Sequence, residues 1–250
     1  MISSEVPLRQ SELLKSGDSW LIINNPELTV ASLRERFSRA DILLADLDET
    51  DAPSPAKEIA KKLIKRNALN PKFLNWTFQT GWTFLREGRK VESVSWENLL
   101  RDFRDDEEFQ KVVSQYTPRF AQKISYPGVF RFYEIFPGEK IYISRNVAKV
   151  VEAFAEVFSF SQIFAEQFDK KRAIGEIYDH NPWAKRFVIK GDSREDEEIA
   201  QFLQEKRKRG EIKDVLSICV CQEASKGGFS ADIYTSRDQT LLSKILEGKK

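Results

Sequence analysis

Strands alternating with helices predict an α/β protein: a Rossmann-like parallel sheet with helices on both faces, plus an inserted α-helical cap domain. Three observations carry this. Short apolar β-type runs recur at 42–45, 141–143, 163–165, 187–189, 215–220 and, more weakly, 231–235. Amphipathic stretches at 147–157, 172–178, 195–207 and 241–247 separate most of them, the order expected of a parallel sheet covered on both sides. The alternation breaks once, between Pro53 and about Ile124, where helical pieces such as "AKEIAKKLIKR", "WENLLRDF" and "DDEEFQKVVSQY" occur without a strand pattern. The expected division is therefore a core of 1–52 and 125–250, with a cap of 53–124.

The run 42–45 is apolar throughout and stops at Asp46-Leu47-Asp48. Ser54 followed by Pro55 supplies an N-cap and a first helical position. Tyr126-Pro127-Gly128-Val129 reads as a turn opening a short helix on the return to the core. Before residue 40, "SWLIINN" is expected as an extra strand and "VASLRERF" as an extra helix.

Composition excludes several classes. The 250 residues are 41% apolar and 32% charged, an ordinary globular balance. Forty basic residues against thirty-nine acidic leave a formal charge of +1, so no global field draws the chain to nucleic acid or an anionic membrane. No apolar window approaches a bilayer span, and the first twenty residues lack a secretory pattern. Cys219 and Cys221, the only cysteines, are read as small buried residues on opposite faces of one strand. A cytoplasmic, reduced protein is expected.

Three apolar runs end in polar groups. The first ends in Asp46 and Asp48, the second in Ser144-Arg145-Asn146, the third in Lys190-Gly191-Asp192 with Asp196 four residues on. In an open parallel sheet the carboxyl ends of the strands line one edge, where ligands bind. Several carboxylates gathered there force protonation or demand a cation. A hard divalent ion with oxygen ligands, Mg²⁺, fits that demand. Taken singly, Asp46 or Asp48 reads better as a turn or cap residue and Ser144 as readily as a helix cap; three such groups in order, each at a strand end, read as a site.

These motifs resemble those of the haloacid-dehalogenase-like hydrolase superfamily. Asp46-Leu47-Asp48-Glu49-Thr50 matches its Asp-x-Asp-x-Thr motif, Ser144 its second motif, and Gly191-Asp192-Ser193-Arg194-Glu195-Asp196 its Gly-Asp-x-x-x-Asp motif. Its motif lysine falls at Lys170 or Lys171, and a helical cap between motifs one and two marks one of its subgroups. The charged helix after Asp196 departs from the usual pattern.

The resemblance implies Asp46 as nucleophile toward phosphorus and Asp48 as general acid and then base. It implies Mg²⁺ on Asp46, the main-chain carbonyl of Asp48 and Asp192, with Asp196 through water. Thr50, Ser144, Arg145, Asn146 and Lys170 or Lys171 would contact phosphate. A phosphatase acting on a small phosphorylated metabolite is the leading expectation; a phosphotransferase or phosphomutase, or a catalytically weak binding module, are the alternatives. Trp76, Trp82, Trp96, Phe78 and Phe84 are read as cap packing residues, with Arg86 or Arg89 recognising a second anion. The single histidine, His180, is read as a surface residue.

Overall fold

The structure, a computed structural model, describes residues 12–67, 71, 74, 105–167, 169–223 and 228–248. Among these, eight strands form one sheet: β1 (Glu12–Ser16), β2 (Ser19–Ile23), β3 (Ile42–Ala45), β4 (Glu139–Ile143), β5 (Gln162–Phe164), β6 (Arg186–Gly191), β7 (Asp214–Cys221) and β8 (Ile233–Ser236). The order is β1-β2-β8-β7-β6-β3-β4-β5. All pairings from β8 to β5 are parallel; the β1–β2 hairpin joins β8 antiparallel. The mainly parallel sheet of the sequence analysis is present, and so is the extra strand in "SWLIINN". Its hairpin partner β1 was not read.

Eight helices are described: α1 (Val30–Ser38), α2 (Pro55–Asn67), α3 (Glu107–Ile124), α4 (Val129–Ile135), α5 (Ala148–Phe158), α6 (Lys170–His180), α7 (Arg194–Lys208) and α8 (Thr240–Glu247). They bury both faces of the sheet. Ile42 and Leu44 join Ile141, Ile143, Phe187 and Ile189 under Ile174 and Ile177 of α6 and Ile199 and Leu203 of α7. Leu43 and Ala45 face Leu33 and Phe37 of α1, Phe132 of α4, Val150 and Phe154 of α5 and Leu242 of α8. Burial on both faces is why β3 is apolar at every position. Each such Leu, Ile or Phe contributes about 1.5–3 kcal/mol.

Helices α2 and α3 are the described part of the expected cap. Ile59 of α2 and Phe109, Val113, Phe120 and Ala121 of α3 join the same apolar cluster as α5. The expected cap residues Trp76, Phe78, Trp82, Phe84, Arg86, Arg89 and Trp96 lie outside the described residues. So do residues 1–11.

The return from α3 is tightly fitted. Gly128 has φ of +82°, and a Cβ there would lie 2.3 Å from Thr240 N, against the main chain that opens α8. Gln239 ties the same place to the site: its N donates to Pro127 O (2.8 Å) and its Nε2 to Thr50 O (2.7 Å).

One expectation is corrected. Cys219 and Cys221 lie on the same face of β7, with Sγ atoms 3.3 Å apart, because residues i and i+2 of a strand share a face. Both are buried and reduced. His180 is exposed, with Nδ1 2.7 Å from Glu176 O.

Candidate active site

The chain runs outward from β3 to β4 and β5, then crosses back to place β6 on the other side of β3. The crevice at the carboxyl ends of β3 and β6 is thus the point where the winding reverses, the place where such sheets bind ligands. Asp46 leaves β3 there, and its N donates to Lys190 O of β6 (3.0 Å). A tight turn follows, closed by Asp51 N on Leu47 O (3.0 Å). Glu49 sits at φ +56°, uncommon for a residue with a side chain. Its carboxylate is engaged by Tyr126 Oη (3.1 Å) and Arg237, which hold the turn in place.

Beyond β4, Ser144 and Asn146 are fully buried. Asn146 N donates to Ser144 Oγ (3.2 Å), and Asn146 Oδ1 accepts from Val147 N (3.0 Å). These fix the amide so that Nδ2 donates to Asp48 Oδ2 (2.9 Å). From the start of α6, the buried Lys170 Nζ reaches Asp46 Oδ1 (3.2 Å) and Asp196 Oδ1 (2.7 Å).

Ser193 caps α7 in a reciprocal capping box with Asp196. Asp196 Oδ2 accepts from Asp192 N (3.1 Å), Ser193 N (3.1 Å) and Ser193 Oγ (2.8 Å). Only glycine fits at 191, where a Cβ would lie 2.2 Å from Asp196 Cγ. Asp196 is thereby committed on both oxygens: one to Lys170, the other to the loop carrying Asp192.

Asp46, Asp192 and Asp196 each place a carboxylate oxygen within 4.8 Å of the other two. Burial pushes the Asp46 carboxyl up to about 7; the charge of Asp196 adds to this and Lys170 opposes it. Asp192 is raised well above the ordinary carboxylate range by burial, then by the charges of Asp46 and Asp196. For Lys170, burial disfavours the charge, but Asp196 and Asp46 outweigh it and hold the ammonium above its usual range. A single cation among three carboxylates leaves the site short of positive charge. Its donors are all oxygens, the set that suits Mg²⁺.

Four of the residues expected at the site converge as a cluster, Asp46, Lys170, Asp192 and Asp196, and Asp48 follows Asp46 on the turn with its carboxylate on Asn146. Ser144 and Asn146 line its β4 side. Thr50 is buried beside the cluster, its Oγ1 3.5 Å from Asp192 Oδ1. Arg145 pairs with Glu195 (2.9 Å), bridging the β4 loop to the start of α7. Lys171 is exposed, which leaves Lys170 as the lysine of the site. Sequence reasoning named Lys190 only as a strand-end polar group and passed over Asp51; the two are fully buried and ion-paired at 2.6 Å. A lysine inside the apolar run "FVIKG" was the available signal.

No family model and no curated protein matches this chain. Among solved structures, cytosolic 5'-nucleotidase IIIB bound to cytidine superposes with a TM-score of 0.52 at 12% identity, over 88% of this chain and 89% of that one. YfnB of Bacillus subtilis, described as a HAD-hydrolase and bound to magnesium, gives 0.43 at 15% identity, over 84% and 99%. A protein of Burkholderia xenovorans LB400 described as a haloacid dehalogenase-like hydrolase gives 0.47 at 12% identity, over 82% and 96%. Such identities speak to architecture alone. On the sheet order, the switch-point crevice and this likeness, the chain has the α/β architecture seen in cytosolic 5'-nucleotidase IIIB.

Proposed function

We propose that the protein is a hydrolase of small phosphomonoesters that works through an aspartyl-phosphate on Asp46 with Mg²⁺ as cofactor. The observation that carries this reading is the convergence of Asp46, Asp192 and Lys170 at the switch point. Asp46 and Asp192, with the main-chain carbonyl of Asp48, would hold the ion, and Asp196 would stay behind them on Lys170 and the Asp192 loop. Bound there, Mg²⁺ would keep Asp46 and Asp192 ionised and offset charge on the phosphoryl oxygens.

The side chains supply the rest. A carboxylate oxygen of Asp46 attacks phosphorus and the ester P–O bond breaks, while protonated Asp48 gives its proton to the departing oxygen. Asp48 then takes a proton from water, the water oxygen bonds to phosphorus, and the P–O bond to Asp46 breaks to release inorganic phosphate. Asn146 keeps Asp48 aimed through both steps. Lys170 and the hydroxyl of Ser144, whose oxygen already accepts from Asn146 N, donate to the phosphoryl oxygens. Uncatalysed phosphomonoester hydrolysis calls for accelerations of up to ~10²¹-fold, which no single one of these effects supplies.

The test is Mg²⁺-dependent release of nitrophenol from p-nitrophenyl phosphate, with acid-quenched protein analysed by mass spectrometry. A phosphate adduct on the peptide carrying Asp46 is expected; hydrolysis that survives Asp46→Asn would reject the nucleophile. Asn146→Ala is expected to lower kcat about 10- to 100-fold with little change in KM, as loss of an orienting contact does. A panel of sugar, hydroxy-acid, amino-acid and nucleoside phosphates then identifies the substrate. Among the described residues no helix is long and apolar enough to cross a membrane. A cytoplasmic setting suits the two free thiols.

A further inference from the structure

Lys190 touches the 46–51 segment in two ways, once through main chain and once through a side chain. Its carbonyl accepts from Asp46 N (3.0 Å), at the start of the turn that carries both catalytic aspartates. Its Nζ reaches Asp51 Oδ1 (2.6 Å), at the end of that turn. One residue of β6, two before Asp192, therefore grips the 46–51 segment at both ends. Asp51 is held from the other side as well: Tyr133 Oη donates to its carboxylate (2.6 and 2.7 Å), and so does Tyr142 Oη (2.7 Å). Burial beside Asp51 pushes both phenols well above their usual range, so they remain donors. The ammonium lies 4.6 Å from the Phe132 ring centroid and 4.5 Å from that of Tyr133. Asp51 O accepts from Tyr126 N (2.8 Å), where the chain re-enters the core.

Stability alone gives no reason for this arrangement. Lys190 and Asp51 are both fully buried among aromatic and apolar side chains. Replacing such a pair by apolar residues of similar volume is often neutral or stabilising. A directional pair fixes distance and register in a way that apolar contact does not. Here it fixes the one distance that matters, from the Asp46–Asp48 turn to Asp192.

We infer that Asp51 and Lys190, sealed by Tyr133 and Tyr142, form a clamp that positions the Asp46–Asp48 turn against Asp192 for metal binding and phosphoryl transfer. The inference rests on the proposed phosphatase reading. Its test is the double variant Asp51→Leu/Lys190→Met, compared with the parent for melting temperature, for kcat and KM on p-nitrophenyl phosphate, and for the Mg²⁺ concentration giving half activation. The expected result is a melting temperature at or above the parent's, kcat down about 10- to 100-fold with KM little changed, and half activation at about 10-fold higher Mg²⁺.

A double variant with parental kcat and Mg²⁺ requirement would show the pair to be a core feature only, overturning the clamp and leaving the phosphatase reading intact. A parent without Mg²⁺-dependent hydrolysis would overturn that reading and the clamp with it. Should the double variant not fold, Tyr142→Phe removes one donor to Asp51 and keeps the ring. A several-fold rise in the Mg²⁺ requirement is then expected, and an unchanged requirement overturns the clamp.

Discussion

Asp46→Asn is expected to abolish turnover while making the metal-free protein more stable. The activity loss follows from removing the attacking oxygen and is on the order of 10⁴- to 10⁶-fold in kcat, the scale seen when a nucleophile is deleted. The gain follows from the crowding at the site. Burial and Asp196 raise the Asp46 carboxyl from 3.8 to about 7, against the pull of Lys170. Between about pH 4 and pH 7 the folded protein therefore holds a proton that the unfolded chain has released. Stability falls as pH rises through that window, and the penalty is complete above it. The asparagine removes the charge and with it a destabilisation on the order of 2–4 kcal/mol, or roughly 5–10 °C in Tm for a chain of this size. Melting curves in EDTA at pH 8 should show the variant above the parent, with the difference largely gone near pH 4. Excess Mg²⁺ should raise the parent's Tm more than the variant's. A variant less stable than the parent at pH 8 in EDTA would mean that the carboxylate is satisfied without a metal.

Lys170→Met is expected to harm folding and catalysis together. Nζ sits 2.7 Å from Asp196 and 3.2 Å from Asp46, almost completely buried. Its removal leaves Asp46, Asp192 and Asp196 within 4.8 Å with no side-chain cation between them. Breaking a buried pair by deleting one partner costs about 3–5 kcal/mol. The deficit should shrink toward pH 4–5, where the raised carboxyls take up protons, and grow toward pH 8. Loss of the ammonium from the phosphoryl position should also lower kcat about 10²- to 10³-fold. Circular-dichroism melts across that pH range check the first effect and steady-state kinetics the second. Lys171→Met, on the exposed side of the same turn, should shift stability by no more than about 0.5 kcal/mol.

The strands were legible because most are buried on both faces. Runs such as "ILLA" and "VLSICV" had to be apolar to sit between two helical layers, and their order implied which ends would meet. Strand β1, "ELLKS", lies at the sheet edge with Leu13 45% exposed, so burial imposed no comparable pattern on it. At the site, spacing put residues at the right rim but said nothing of which neighbour each side chain would choose. Thr50 turned to Asp192, Arg145 to Glu195, and Asn146 to Asp48. The Asp51–Lys190 pair went unread because Lys190 registered only as one of the polar groups ending a strand and Asp51 fell just past the first motif. Their complementarity exists only across the β3–β6 pairing.

The antiparallel attachment of β2 to β8 bears on how the protein is born. Leu21 pairs with Thr235 and Ile23 with Ile233, so an early hairpin must wait for a strand made very late. Contacts between such distant segments are slow to form, since the entropy of closing the long intervening loop is lost before they reward it. On the ribosome, the β2 edge stays open until residues 233–236 have emerged. Its unpaired amides and carbonyls are then the surface most in need of a chaperone.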